Sequence, residues 1–339
     1  MTDTRHGAGA RRSTPKPGCT TAALVLAGLA WALVAGSAKA EYPDRLIKLI
    51  VPQAPGSATD VLARILAAEL ETQVGQSIVI ENRPGGALTT GLAFTAKSEP
   101  DGYTIAMGPI GALAITRHMV KKLPYDIERD FQPIALVARG QMLLAVSPKL
   151  PVRSVGDLIH LAKAKPGTLV YASSSAGSPG HVGFELFKSM TGIDIPHVPY
   201  RGGSNAITDL ISGQVHVMLE SLSSIAPFAT SGDVRALGVS GASRSAAFPD
   251  LPTIAEAGVA GFEVMTWSGV IGPAGMGRAV VDKLNGAINR AVRTRGFKER
   301  LAAQGQEAAG GTPEDFADAI RSDSAQWLEV ITRSGIKLD

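Results

Sequence analysis

The chain has 339 residues, with 33 Lys and Arg against 30 Asp and Glu, 45% hydrophobic residues and a single cysteine, Cys19. The basic excess sits in the first 40 residues, which hold five Lys/Arg and one Asp; the 299 that follow carry 28 basic and 29 acidic groups. That near-neutral remainder has no basic run of the kind that binds nucleic acid or an anionic membrane, and without cysteine it has no disulfide or thiol chemistry.

Residues 1–40 have the pattern of a secretory signal peptide. Arg5, Arg11, Arg12 and Lys16 form a basic start, and Thr21 to Ala35 is an apolar run short for a bilayer span. Ala38-Lys39-Ala40 is a small-x-small site predicting cleavage after Ala40, and hence a periplasmic mature chain.

From residue 41 onward, strand-like and helix-like runs alternate, which predicts parallel βαβ units. A strand over 46–52 leads to a helix over 59–73 whose apolar face is Val61, Leu62, Ile65, Leu66 and Leu70. Strands are expected at 77–81 and 103–107, with a helix over 87–98 between them. Two further strand-like runs cover 134–138 and 142–146. Ser154, with Asp157 three residues on, marks a capped helix over 155–164. A strand over 168–172, a helix over 181–191, a short extended run at 197–200, a helix over 204–212 and strands over 215–219 and 234–239 follow. Thr266 to Ile271 is a returning strand, and helices over 277–294, 295–304 and 313–334 finish the chain.

The fold class expected is α/β: two lobes joined by two crossover strands, the chain leaving the first lobe near 140–147 and returning near 266–272. Lobe 1 is 41–142 plus 268–339, and lobe 2, inserted, is 143–267. Ligands of open α/β sheets sit beyond the carboxyl ends of the strands. Two small-residue loops occupy such places. The first, Ala54 to Asp60, offers backbone N–H groups, with Pro55 and Gly56 permitting close approach and Ser57 and Asp60 placed to cap the helix. The second, Ser173-Ser-Ser175-Ala-Gly-Ser178, supplies hydroxyls and amides that suit a carboxylate without a lysine or arginine. His181 follows directly, and either packs, caps or orients a ligand or loop. Tyr200, Arg201 and Gly202 stand where they close over a ligand or remain solvated. Glu220, at a strand end, meets a ligand amine or pairs structurally.

Catalytic and cofactor signatures are absent from the sequence. It has no G-x-S-x-G elbow, no H-E-x-x-H, no phosphate-binding G-x-x-x-x-G-K-[ST] and no G-x-G-x-x-G. No enzyme activity, metal or cofactor is expected. A secreted serine hydrolase using Ser178 or Ser175 with His181 stands as the reading from a different class.

An ordered set of short pieces along the mature chain carries a resemblance to a known family. They include Ile50-Val-Pro-Gln-Ala-Pro-Gly56 with Asp60, Glu81-Asn-Arg-Pro-Gly85, Asp101-Gly-Tyr103, Gly177-Ser178 with His181, Val198-Pro-Tyr200 with Gly202, and Pro249-Asp-Leu-Pro-Thr253 with Glu256-Ala-Gly258. The chain resembles the Bug family of extracytoplasmic solute receptors, the binding subunits of tripartite tricarboxylate transporters. The resemblance implies a two-lobed periplasmic-binding-protein (Venus-flytrap, type II) fold without catalysis that captures a small organic carboxylate between its lobes for membrane permease subunits; the alternative is a receptor that only senses a carboxylate and signals to a membrane partner, and a monomer is expected. The resemblance also implies ligand contacts from Pro55, Gly56, Ser57 and Asp60 in the first lobe. In the second it implies Ser173, Ser175, Ser178 and His181, with Tyr200 and Gly202 nearby. Three departures stand out. Ser57 replaces a usual glycine, Gly86-Ala-Leu-Thr-Thr-Gly91 alters a glycine-rich run, and Glu220 stands where aspartate is common, its extra methylene narrowing that end of the cleft.

Overall fold

The computed structural model describes residues 41–200, 202–334 and 336, together with Thr2, Gly7 and Gly9. Apart from those three positions the expected leader, like Arg201, lies outside the described residues. In the compact unit that begins at Pro43, chain order runs β1 (Ile47–Val51), α1 (Ala58–Val74), β2 (Ile78–Asn82), α2 (Thr89–Ala96), β3 (Thr104–Pro109), a π turn (Gly111–Ile115) and β4 (Phe131–Val146). Next come α3 (Val155–Ala164), β5 (Tyr171–Ser173), α4 (Pro179–Thr191), β6 (His197–Pro199), α5 (Gly203–Ser212), β7 (Val217–Ser221), α6 (Leu222–Ser231) and β8 (Arg235–Val239). The chain ends with β9 (Met265–Pro273), α7 (Arg278–Arg293), α8 (Arg295–Ala302), β10 (Gln306–Ala308) and α9 (Pro313–Ser334).

The helices form where apolar spacing and caps demand them. α1 starts at Ser57, whose hydroxyl accepts the Asp60 amide, and ends at Gly75 with φ of 70°, a left-handed turn that glycine adopts without a Cβ penalty. Its buried stripe of Leu62, Leu66 and Leu70 seals one face of the sheet; each buried leucine contributes roughly 1.5–3 kcal/mol. Ser154 caps α3 as its sequence suggests, accepting the Asp157 amide, while the Asp157 carboxylate accepts the Arg153 amide.

The sheet joins two halves through one long strand. In the first half β1 lies between β2 and β3, all parallel. β9 is antiparallel to both β3 and β4, so β4 runs in the same direction as β1 to β3. The runs expected at 134–138 and 142–146 are one strand. Arg139 and Gly140 break the hydrophobic pattern, but the backbone continues through them on β9. Phe131 to Gln141 pairs with β9; Met142 to Val146 then pairs with β7, and Leu143 to Val146 also with β8. There β7 is antiparallel to β4 and parallel to β5, which is parallel to β6. Directions therefore reverse between the halves. The carboxyl ends of β1, β2 and β3 point toward the second half, and those of β5, β6 and β7 point back toward the first. The chain thus forms a two-lobed α/β fold in which β4 runs through both halves and the chain returns to the first half at the start of β9.

Two contacts fix the passage between halves. Ser240 is fully buried just after β8; its hydroxyl accepts the Met142 amide at 2.8 Å and donates to the Val264 carbonyl. Its own amide and carbonyl bond to Met142 and Val264 as well, at 2.9 Å each. One residue thereby binds the middle of β4 to the segment entering β9. The second contact is α9, which packs on β4, on the π turn and on α4 of the other half. Trp267 of β9 meets Phe316 of α9 edge-on at 5.4 Å, and its indole N–H donates to Asp323.

Helix α6 and strand β10 go beyond the sequence expectation. α6 carries Ser223, Ser224 and an internal Pro227, and no element is expected there from the sequence, but Leu222 and Ile225 anchor it in the core. Among the described residues no helix is long and apolar enough to cross a membrane.

Ser240→Ala leaves the Met142 amide and Val264 carbonyl without their buried partner. It is expected to lower stability by about 1–3 kcal/mol, measured by urea denaturation. A loss within error would show that the hydroxyl does not hold this junction.

Candidate functional site

Six loops leave strand carboxyl ends in the gap between the halves, and their helices point amino termini into it. Helix amino termini carry unpaired N–H groups and a partial positive charge. The halves approach closely here. A Cβ on Gly111, after β3, would stand 3.8 Å from Pro179 at the start of α4. Ala58 and Val61 of α1 line a cavity of about 10 Å³ with Ser223 of α6. A larger depression of about 610 Å³, lined by Arg45, Lys48, Phe94 and Tyr103, lies at the amino ends of β1 and β3, away from these loops.

In the first half Asp60 organises the loop after β1. Its carboxylate is 2% exposed and accepts four groups: the Gly56 amide at 2.9 Å, Asn82 at 2.8 Å, and Arg64 through Nε at 3.0 Å and Nη2 at 3.1 Å. Burial alone raises its pKa, but the bonds from Arg64, Gly56 and Asn82 prevail and hold it below the usual carboxylate range. Gly56 has φ of 80°, so this tight turn needs glycine. Pro55 and Gly56 are exposed, and the Ser57 hydroxyl is engaged in capping. The first-turn amides of Ala58 and Thr59 have no intrahelical partner.

The loops after β2 and β3 also reach the gap; the sequence marks Gly86 to Gly91 as a departure but places no ligand contact in either loop. Leu88 precedes α2 with φ of 76°, a strained conformation for leucine, and a Cβ on Gly111 would stand 3.4 Å from Leu88 Cδ1. The Gly85-Gly86 pair was the only sequence signal for this turn.

In the second half, the serine loop rests on a buried stack. Ser173 is fully buried; its hydroxyl donates to the Ser175 carbonyl at 2.8 Å and lies 2.7 Å from His197 Nε2. Since Ser173 uses its proton on Ser175, His197 Nε2 is the donor to it. Ser178 caps α4, accepting the His181 amide at 3.3 Å. His181 Nδ1 accepts the Gly177 amide at 2.9 Å, and its ring stacks on His197 at 3.8 Å and 9°. Tyr171 extends the stack. His181 therefore shapes the serine loop from behind. Ser175 is the exposed serine of the loop, with Ser174 half-buried. Tyr200 donates to Asp209 at 2.6 Å, and the Gly202 amide donates to the Ser174 carbonyl at 2.8 Å, tying the loops after β5 and β6 together.

Glu220 ends β7 between two uncapped helices. Gly202 before α5 has no side chain to cap with, and Ser221 before α6 makes no side-chain cap. One carboxyl oxygen of Glu220 accepts the Ser221 amide at 2.8 Å, whereas the other, Oε2, is buried without a hydrogen-bond partner. Burial raises its pKa to about 7, with the Ser221 amide and the nearby Ser174 hydroxyl pulling the other way. Among the described residues no group of three or more His, Cys, Asp or Glu is arranged to hold a metal.

Comparisons with known proteins place these loops in context. A family model described as "Tripartite tricarboxylate transporter family receptor" matches residues 62–336. BugT of Bordetella pertussis is 36% identical over 298 residues, 88% of this chain and 91% of its own. The structure of Rpa4515 from R. palustris with adipate aligns with a TM-score of 0.82 at 38% identity, covering 88% of this chain and 99% of that one. MatC from Rhodopseudomonas palustris with bound malate aligns at 0.78 and 29% identity, covering 86% and 100%.

The buried ionisable groups give stability a pH dependence of mixed sign. Burial lowers His181 to about 4 and His197 to about 3, so below pH ~6.5 the unfolded chain takes up protons that the folded chain refuses. Their contribution is full above ~6.5 and is lost as pH falls toward 4. Glu220 acts oppositely: the folded chain keeps its proton between about pH 4.5 and 7, and that stabilisation is lost as pH rises through this window. Between pH ~4.5 and ~6.5 the slope of stability against pH should therefore steepen in Glu220→Gln and flatten in His197→Phe. Each change amounts to about 1.4 kcal/mol per pH unit. Urea titrations across that window check this; unchanged slopes in both variants would refute the assignment.

Proposed function

Because this chain belongs to the tripartite tricarboxylate transporter receptor family, whose members are periplasmic solute-binding proteins and not enzymes, we propose that it captures a small organic carboxylate between its two loop clusters and presents it to membrane permease subunits. The observation that carries this reading is the reversal of strand direction along β4. It turns the helix amino termini of both halves toward one gap, where an anion gains from each side. The adipate and malate in the two related structures support a small dicarboxylate as the ligand class.

In this proposal the lobes are 41–142 with 268–339, and 143–267, moving about the β4 and β9 crossovers. Contacts in the first lobe come from the loop Pro55, Gly56 and Ser57, held in shape by Asp60. In the second they come from Ser175 and the amides beside Ser178, with Tyr200, Gly202 and Glu220 at the far end and Ser173 and His181 supporting from behind. A ligand touching both lobes favours the closed state in proportion to the contacts that only closure makes. Residues 1–40 serve as an export leader cut after Ala40, and the mature receptor works as a monomer.

The test is a thermal-shift comparison on residues 41–339 with C4 to C6 dicarboxylates and their diamides. A dicarboxylate at 100 times its dissociation constant adds about 2.7 kcal/mol of stability, which raises Tm by roughly 2–4 °C per kcal/mol for a chain of this size. A shift with an acid and none with its diamide is the expected result. No shift with any acid, or equal shifts with acid and diamide, would sink the carboxylate reading.

A further inference from the structure

Four buried side-chain polar atoms among the described residues lack a hydrogen-bond partner, Gln53 Oε1, Tyr125 Oη, Gln141 Oε1 and Glu220 Oε2, and of these Glu220 Oε2 alone belongs to a carboxyl group. The Asp60 carboxylate accepts four groups, the Ser173 hydroxyl bridges Ser175 and His197, and the His181 Nδ1 accepts Gly177. Glu220 is 8% exposed; its Oε2 makes no hydrogen bond of ordinary geometry, and the Ser174 hydroxyl, which draws its pKa down, is the donor beside the carboxyl group. A buried polar atom left unpaired destabilises the fold, a charged one more so, so the atom is expected to have a partner when the protein works.

The surroundings define that partner. A Cβ built on Gly203, the first residue of α5, would stand 3.6 Å from Glu220 Oε2 and 3.8 Å from Ser174 Cβ. Oε2 thus sits at the uncapped start of a ten-residue helix, beside the serine loop, at the carboxyl end of β7. An anion seated on the first-turn amides of α5 lies next to it. Two carboxylates in such contact repel each other; a carboxylic acid and a carboxylate instead share a short, strong hydrogen bond.

The charged and titratable groups on the elements packed around Glu220 are otherwise engaged. Asp209 of α5 accepts the Tyr200 hydroxyl, and Arg235 of β8 donates to the carbonyls of Leu150 and Val152. His197 of β6 bonds Ser173, and Tyr171 of β5 donates to Glu185 of α4. α6 and the Met142–Val146 stretch of β4 carry no charged residue. The influences on Glu220 are burial, the Ser221 amide and the Ser174 hydroxyl, which together leave it titrating near neutral pH.

We propose that Glu220 is a proton-carrying ligand residue: it binds in its acid form, donates its Oε2 proton to one carboxylate oxygen of the ligand, and so couples carboxylate capture to uptake of one proton. No covalent bond changes; the proton comes from solvent and leaves when the ligand does. The proposal rests on the carboxylate reading above and adds to it a requirement for acid. It also accounts for Glu rather than Asp here, since the longer arm carries Oε2 toward the start of α5.

The experiment is isothermal titration calorimetry of residues 41–339 with adipate and with malate, from pH 6.5 to 8.5, in pairs of buffers that differ in ionisation enthalpy. Wild type is expected to weaken roughly tenfold per pH unit above ~7, as the acid form becomes scarce, with close to one proton taken up per ligand at pH 8. Glu220→Gln, whose amide N–H replaces the acid proton, is expected to bind with an affinity independent of pH and without proton uptake. Glu220→Met, of similar length but without a donor, should bind at least tenfold more weakly than the glutamine variant at every pH. Binding by wild type with flat pH dependence and no proton uptake overturns the proposal and leaves the carboxylate reading intact. Loss of binding in a folded Glu220→Gln also overturns it, showing that the ligand needs an acceptor there. No binding of either acid by wild type at any pH, with no response to other carboxylates, removes the carboxylate reading and this proposal with it.

Discussion

β4 is the constraint on which the rest of the structure depends. A single sixteen-residue strand belongs to both halves of the sheet, and its neighbours change from β9 to β7 and β8 partway along it. β9 and β7 are each antiparallel to it, but β3 is antiparallel to β9 whereas β5 is parallel to β7, so the outer strands of the two halves run in opposite directions. The facing loops are therefore a consequence of pairing geometry rather than of any contact between them. Ser240 secures the point where the neighbours change, and the 0% exposure of that residue reflects how little slack remains there.

Neither the loop Ala54 to Asp60 nor the loop Ser174 to Ser178 carries a lysine or arginine. The cationic side chain closest to the first loop, Arg64, is engaged by Asp60, and their pairing fixes the turn rather than a ligand. What remains is backbone: first-turn amides of α1, α4, α5 and α6, positioned by buried acceptors behind them. Such donors are rigid and already desolvated on one side, so they discriminate by shape and by the number of hydrogen bonds available. A neutral histidine stack suits this design, since a charged imidazole behind the serine loop would change the field felt at its tip.

Much of this was legible in the residues. The apolar run into Pro52, followed by a capping serine and an amphipathic helix, specified β1, its loop and α1 within a residue or two. Gly-Pro punctuation and serine density marked the second loop equally well. The failures have physical causes. α6 is held by the burial of Leu222 and Ile225, a tertiary effect that outweighs its poor helix formers. Arg139 and Gly140 concealed the continuity of β4, because a strand crossing between halves meets solvent at its midpoint. The partnership of Ser173 with His197 is a long-range contact with no local trace. Nor does any local pattern distinguish Asp60, saturated by its neighbours, from Glu220, which keeps an unpaired oxygen. Both are acids within three residues of a serine in the sequence, and only packing separates them.

The order of strands in the sheet also governs how the chain can be made. β3 has β1 on one side and β9 on the other, pairing Ala106 with Ile271, and the whole second half of the fold is encoded between those residues. Until β9 arrives, the first half presents β3 as an open edge carrying buried-type residues such as Met107. Completion of the earliest strands thus waits on nearly the last ones, a high contact order that slows folding and prolongs exposure to misassembly. A chain wired this way gains from remaining unfolded until all of it is present in one compartment.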